Sequence, residues 1–296
     1  MGQRLTLYAM TVLEGIQRST QFLAKKGVDS PRLQAELLLA YLLNLPRMRL
    51  YLSFERVLEA AQVDAFRELV QRRGAREPLQ YIEGSTSFCG LEIAVNRHVL
   101  IPRPETELLA ERGCQFLKEI STFNSQPFAL DFGTGSGCVA IALAVKCPAA
   151  RVWALDSSAE ALELAQANAA RHCVTDRVEF VHGANLTAFP TGRKFHLIIS
   201  NPPYIPTKEI ESLQTEVRDY EPRQALDGGP DGLAFFRRLA ADGGPFLEPA
   251  GRLMVEFGDG QAKAVREIFQ REKWIVEAVQ EDYTQRPRIA IAKKPE

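Results

Sequence analysis

No stretch of this sequence approaches the roughly 18 consecutive apolar residues that span a bilayer. Its beginning also lacks the charged-then-apolar pattern of a secretory signal. A cytoplasmic protein with no membrane partner is the expectation. Cysteine is scarce: Cys89, Cys114, Cys138, Cys147 and Cys173 lie far apart, with no CxxC pair. Such spacing excludes a disulfide framework and a zinc cluster, and predicts reduced, mostly buried thiols. His98, His172, His182 and His196 show no metal-ligand spacing, so no metal is expected. Low-complexity tracts and internal repeats are absent. Gly2 and Thr6 formally fit an N-acylation pattern, a match short enough to arise by chance.

Net charge is nearly absent as well, at −1 over 296 residues, which argues against a generic nucleic-acid coat. The balance hides an asymmetry. Residues 1–76 carry 12 basic and 7 acidic side chains, whereas residues 77–296 carry 24 and 30. A basic module facing an acidic partner and a merely solvated helical surface both fit that division. With 46% apolar and 25% charged residues the chain reads as globular, and its length suits two domains.

Residues 1–76 read as a small helical domain. Leu33, Leu37, Ala40 and Tyr41 recur at helical spacing behind Ser30 and Pro31, a helix start with proline in the first turn. Residues 58–73 place Val63, Phe66 and Val70 on one face, with Gly74 able to end the helix. Residues 77–107 change texture: Gly84, Gly90 and Asn96 mark turns, and Leu91, Ile93 and Val95 alternate as in a strand. A β-hairpin connector is expected there. It leads through Leu100, Ile101, Pro102, Arg103 and Pro104 to a helix capped near Glu105 and Glu107, either a rigid linker or a pocket wall.

From residue 108 strands and helices alternate, which predicts an α/β doubly wound, mostly parallel seven-stranded sheet. Strands are expected at residues 128–132, 151–156, 178–182, 196–200, 252–257, 274–279 and 288–292. Helices are expected at residues 139–146, 159–171, 233–241 and 262–271.

Three stretches carry chemistry. Gly133, Thr134, Gly135, Ser136 and Gly137 join the first of these strands to a helix, and glycines there let the backbone turn tightly and approach a ligand. The spacing is GxGxG, with Cys138 where a dinucleotide fingerprint wants its last glycine, which favours a ligand lacking a pyrophosphate. Asp156 ends the second strand, placed to accept both hydroxyls of a ribose or, alternatively, to cap the next helix beside Ser157 and Ser158. Asn201, Pro202, Pro203 and Tyr204 end the apolar run Leu197, Ile198, Ile199. Neither proline can donate a ladder hydrogen bond, so the strand stops and leaves an amide, free carbonyls and an aromatic ring at the sheet's carboxyl edge. A simple Asn-Pro turn is the alternative.

In this order, the glycine loop, Asp156 and the Asn-Pro-Pro-Tyr element resemble class I S-adenosylmethionine-dependent methyltransferases that modify planar nitrogens. With the N-terminal helices and the run Pro102 to Glu107 added, the resemblance is to the PrmC/HemK family over nearly the whole chain. Those enzymes methylate the amide nitrogen, N5, of the glutamine in the Gly-Gly-Gln motif of peptide chain release factors. The resemblance implies S-adenosylmethionine as cofactor, held by Gly133, Thr134, Gly135, Ser136, Gly137, Asp156, Asn185, Leu186 and Asn201. It implies a substrate clamp of Asn201, Pro202, Pro203 and Tyr204, with Asn201, Pro202 and Tyr204 catalytic. Release factors become the expected partner, with no stable nucleic-acid partner and a monomeric chain. Two departures stand out: Asn185-Leu186 replaces an Asp-aromatic pair common beside the adenine, and Cys89 replaces a frequent aromatic. A methyltransferase for an exocyclic amine of a nucleic-acid base, and a non-catalytic nucleoside-binding module, are the competing expectations.

Overall fold

The computed structural model describes residues 10–122 and 126–295, so the acylation match at Gly2 and Thr6 lies outside the described residues. The chain divides into two compact units: Met1–Gly84 with Thr215–Tyr220, and Ser85–Gln214 with Glu221–Glu296. Among the described residues no helix is long and apolar enough to cross a membrane.

The first unit is built on the helices Val12–Lys25, Pro31–Leu42 and Ala60–Gly74. A reciprocal capping box starts the first, Glu14 N–H donating to Thr11 Oγ while Thr11 N–H donates to the Glu14 carboxylate. Ile16, Leu23, Leu38, Leu39 and Phe66 form the fully buried centre. The expected stripe on Pro31–Leu42 is rotated: Leu33 and Tyr41 face outward, and Ala35, Leu38 and Leu39 face inward. An unbroken apolar run from Leu37 to Leu43 offers no polar gap, so periodicity alone does not choose the face. Glu36 fixes it instead, a buried carboxylate that accepts from Arg32 Nε at 3.0 Å, Arg47 Nη1 at 3.0 Å and Tyr51 OH at 2.9 Å. Gly74 closes its helix as expected, yet the left-handed residue is Arg76 at φ 72°. Gly74 is glycine for space, since a Cβ there would run into the Phe22 ring.

The second unit opens with a hairpin of β1 (Ser85–Phe88) and β2 (Leu91–Ala94), whose register pairs Phe88 with Leu91. Cys89 and Gly90 form its two-residue turn with φ of 53° and 79°, the left-handed pair that matches strand twist. Cys89 thus sits at a backbone corner, its N–H donating to Glu107 Oε1 at 3.0 Å.

The large sheet comprises β3 (Phe128–Phe132), β4 (Arg151–Asp156), β5 (Val178–His182), β6 (Phe195–Ser200), β7 (Leu247–Glu256), β8 (Ile275–Glu281) and β9 (Pro287–Lys293). Its order is β5-β4-β3-β6-β7-β9-β8, parallel through β7 and antiparallel at both β9 pairings. The expected mostly parallel seven-stranded sheet is therefore present. Strand β7 starts at Leu247 and not at Arg252, because Pro249, Ala250 and Gly251 bulge inside the strand: Phe195 pairs with Leu247 and Leu197 with Arg252. Strand order reverses between β3 and β6, and open α/β sheets hold their ligands at the carboxyl ends beside such a switch. The helix Cys138–Lys146 is buried from Cys138 to Ala144. Gly113 on the helix Pro104–Ser121 lets that element close on the sheet, where a Cβ would meet Ile199 Cδ1 at 3.0 Å.

Candidate active site

The glycine loop leaves β3 at the switch point. Gly133 and Gly135 adopt φ of 77° and 53°, and a Cβ at either would project into open space. That space is a cleft lined by the loop, Leu155, Asp156, Gly183, Asn201 and Pro203, among others. Two carboxylates hold the loop. Asp131 accepts from Thr134 Oγ at 2.6 Å and Ala140 N–H at 3.1 Å, and burial pushes its pKa up to about 7 against those bonds. Asp156 Oδ2 accepts Gly135 N–H at 2.8 Å, and Oδ1 accepts Ser158 N–H at 2.9 Å. Ser158 rather than Asp156 caps the following helix, its Oγ accepting Ala161 N–H. Each carboxylate oxygen retains a lone pair for a ligand hydroxyl. Ser136 Oγ is buried among the described residues without a hydrogen-bond partner, a polar atom waiting for one. The open cradle, the facing carboxylate and this orphaned hydroxyl fit a nucleoside-bearing ligand.

The Asn-Pro-Pro-Tyr element leaves β6 at the same edge. Ser200, fully buried, ties the two strand ends together by donating from Oγ to Phe132 O at 2.6 Å. Asn201 and Pro203 reach the cleft; Pro202 is buried and Tyr204 half-buried, and neither is part of its wall. Tyr204 packs against the core, and burial pushes its hydroxyl up to about 12, so it stays protonated. The loop's exit is gripped from both sides. Gln261 Nε2 donates to Tyr204 O at 2.9 Å, while Ile205 N–H donates to Leu226 O and Gly228 N–H to Ile205 O. Gly232, at φ 74°, has to be glycine because a Cβ would strike Tyr204 O.

Asn185 and Leu186 lie outside the cleft wall. Asn185 is exposed and accepts Thr187 N–H at 3.1 Å as a turn cap, and Leu186 is buried in the core beneath the sheet. Gly183 and Ala184 line the cleft there instead, opposite Phe235 and Arg238 from the helix Ala234–Asp242. Arg238 Nη1 donates to Ala184 O at 3.2 Å. Three further residues belong to the site: Thr106, from the run Pro102 to Glu107 that the sequence offered as a linker or a pocket wall, and Glu256 and Asn168, which had no signal of their own. Thr106 lines the cleft and joins Asn201 to buried Glu256. Asn168 bridges the loop to β2 with three hydrogen bonds to Ala94 and Ser136.

Comparison with known proteins places this site in context. The model of the PrmC N-terminal domain matches residues 14–84, and that of the methyltransferase small domain matches residues 110–218. The release factor glutamine methyltransferase of Geobacter sulfurreducens is 44% identical over 268 residues, 88% of this chain and 89% of its own. That of Koribacter versatilis is 40% identical over 286 residues, 97% of this chain and 99% of its own. Among solved structures, the hMettl16 catalytic domain bound to MAT2A 3′UTR hairpin 1 aligns with a TM-score of 0.54 at 15% identity, over 81% of this chain and 83% of that one, and so shares the fold. With an N-terminal match, a methyltransferase-domain match and relatives similar from end to end, the chain belongs to the release factor glutamine methyltransferase family.

Proposed function

We propose that this enzyme methylates the side-chain amide nitrogen of a glutamine, the one in the Gly-Gly-Gln motif of peptide chain release factors, acting as a monomer in the cytoplasm. In this reading residues 1–76 recognise the substrate, residues 77–107 connect, and residues 108–296 carry methyl transfer. The observation that carries it is Asn201 reaching the same cleft as the glycine loop and Asp156. S-adenosylmethionine, the cofactor the cradle suits, supplies a methyl carbon made electrophilic by its sulfonium.

The chain's own residues then have three tasks. Gly133, Thr134, Gly135, Ser136 and Gly137 line the donor's path, the Ser136 hydroxyl gaining the partner it lacks, and Asp156 takes the ribose hydroxyls. Asn201 Oδ1, on the cleft wall, accepts one N–H of the glutamine amide, and the second N–H falls to the carbonyl of the next residue, Pro202, which is buried just behind that wall. An amide nitrogen is a weak nucleophile because its lone pair is delocalised, so holding it in line with the methyl carbon is the main catalytic device. Two acceptors also select a nitrogen with two hydrogens, since a hydroxyl would leave one acceptor unpaired. Pro203 walls the pocket, and Tyr204 anchors the loop through its ring and its carbonyl. After transfer the nitrogen is strongly acidic and one clamped proton passes to solvent, so no general base is assigned.

The test is methyl transfer from labelled S-adenosylmethionine to a purified release factor, repeated with its Gly-Gly-Gln glutamine replaced. Label is expected only on the intact motif; equal label on both proteins, or label on total RNA or DNA instead, overturns the reading.

A further inference from the structure

We propose that Thr106 and Glu256 are positioning residues that set which end of the Asn201 amide faces the substrate. The inference rests on the reading of Asn201 as an amide clamp. Asn201 Nδ2 donates to Thr106 Oγ at 2.9 Å, and Thr106 Oγ donates to Glu256 Oε2 at 2.7 Å. Thr106 and Glu256 are 3% and 2% exposed, so the bond between them is closed to bulk solvent, while Asn201 is half-buried at the cleft. Among the described residues Asn201 Oδ1 takes no hydrogen bond within the protein.

The chain has a direction, and the carboxylate imposes it. An ionised carboxylate only accepts, so the single proton of the Thr106 hydroxyl points at Glu256. The hydroxyl's lone pairs then face Asn201 and call for its NH₂ group. Oδ1 is thereby turned away from Thr106 and toward the cleft, where a substrate N–H needs an acceptor. The opposite flip would aim two donors at a substrate that is itself a double donor, and the clamp would repel it.

Neutralising the far end removes the direction. A protonated Glu256, or an amide at this position, can donate to Thr106; the threonine proton is then free to bond Asn201 Oδ1 and hold the amide the wrong way round. The groups acting on Glu256 are Glu105 and Arg103 at the start of the helix Pro104–Ser121, Arg288 on β9 and Tyr204 after β6. Burial outweighs the two arginines and raises the carboxyl to about 7, within reach of ordinary assay pH. The orienting chain is therefore complete on the alkaline side of neutrality and released on the acid side.

The experiment measures kcat, KM for a release factor and Kd for S-adenosylmethionine between acid and mildly alkaline pH, for wild type, Thr106→Val, Thr106→Ser, Glu256→Gln and Asn201→Ala. Thr106→Val and Glu256→Gln are expected to lower kcat roughly ten- to a hundredfold, with cofactor Kd held within about threefold. Thr106→Ser, which keeps the hydroxyl, recovers most of the loss. Wild-type kcat rises with pH through about 7, and Glu256→Gln abolishes that rise. If Thr106→Val loses the wild-type thermal transition, the pH profile of Glu256→Gln decides alone. Thr106→Val with wild-type kcat, equal losses in Thr106→Val and Thr106→Ser, or a Glu256→Gln profile that still rises through neutrality overturns the proposal. Asn201→Ala with wild-type kcat overturns the clamp reading along with it.

Discussion

Replacing Asn168 by leucine tests whether one buried amide holds the cofactor loop to the hairpin. Asn168 is 1% exposed; its Oδ1 accepts Ala94 N–H at 2.8 Å, and its Nδ2 donates to Ala94 O at 3.0 Å and Ser136 O at 2.9 Å. Leucine matches the volume and removes all three bonds. A net contribution of about 1 kcal/mol per bond gives a loss of roughly 3 kcal/mol, partly relieved by water reaching half-buried Ala94. For a domain of this size that corresponds to a fall in Tm of about 6–12 °C. The Ser136 carbonyl also loses its anchor, so Kd for S-adenosylmethionine should rise about tenfold, some 1.4 kcal/mol. Thermal unfolding by circular dichroism and calorimetric titration of the cofactor measure the two effects. A Tm within about 2 °C of wild type, below the shift expected from a single lost bond, would refute the argument.

Three further perturbations have defined outcomes. Asp156→Asn loses the charge and keeps one side-chain oxygen for the two N–H groups of Gly135 and Ser158, so cofactor Kd should rise roughly ten- to a hundredfold and Tm should fall by about 2–6 °C; an unchanged Kd would remove Asp156 from the ribose site. Gly232→Ala forces an L-residue to φ 74° and drives a Cβ into Tyr204 O, which should lower stability by about 2–4 kcal/mol and depress kcat with it. Urea titrations should show stability falling as pH rises from about 5 to about 8, above the range in which the depressed carboxylates Glu36, Glu216 and Asp227 titrate. Burial raises both Glu256 and Asp131 to about 7, so the folded state holds their protons more tightly than the unfolded chain. The contribution is full below the ordinary carboxyl range near ~4.3 and lost through about 7, of order 3 kcal/mol per group. Glu256→Gln should shrink that fall, and an undiminished fall would assign it elsewhere.

Local patterns were legible where they were self-contained. Strands β3, β4 and β5 begin and end where their apolar runs meet turn residues, so periodicity located them. The glycine loop and Asp156 follow from spacing around a strand–helix turn, and the fold brings them to one cleft with Asn201. What needed the fold was long-range. Thr106 and Glu256 lie 95 and 150 residues from the atoms they bond, and no window of sequence pairs them. Pro249 and Gly251 look like a turn from within the chain, and only pairing with β6 makes them a bulge. Asn185 is a different case: Asn two residues before a threonine is a local turn cap, a signal that could have weighed against placing it at the adenine.

Stability and activity are expected to pull apart at Glu256. Its ionised form is the one the orienting chain uses, and the neutral form is the one burial favours. Active sites commonly hold such groups at some loss of stability.

The most direct measurement is fragmentation mass spectrometry of a release factor after reaction with S-adenosylmethionine and the wild-type enzyme, with Asn201→Ala in parallel. One added methyl group is expected on the side-chain amide of the Gly-Gly-Gln glutamine, its formation strongly slowed by Asn201→Ala. A methyl group found on another residue, or formed at the wild-type rate by Asn201→Ala, would contradict it.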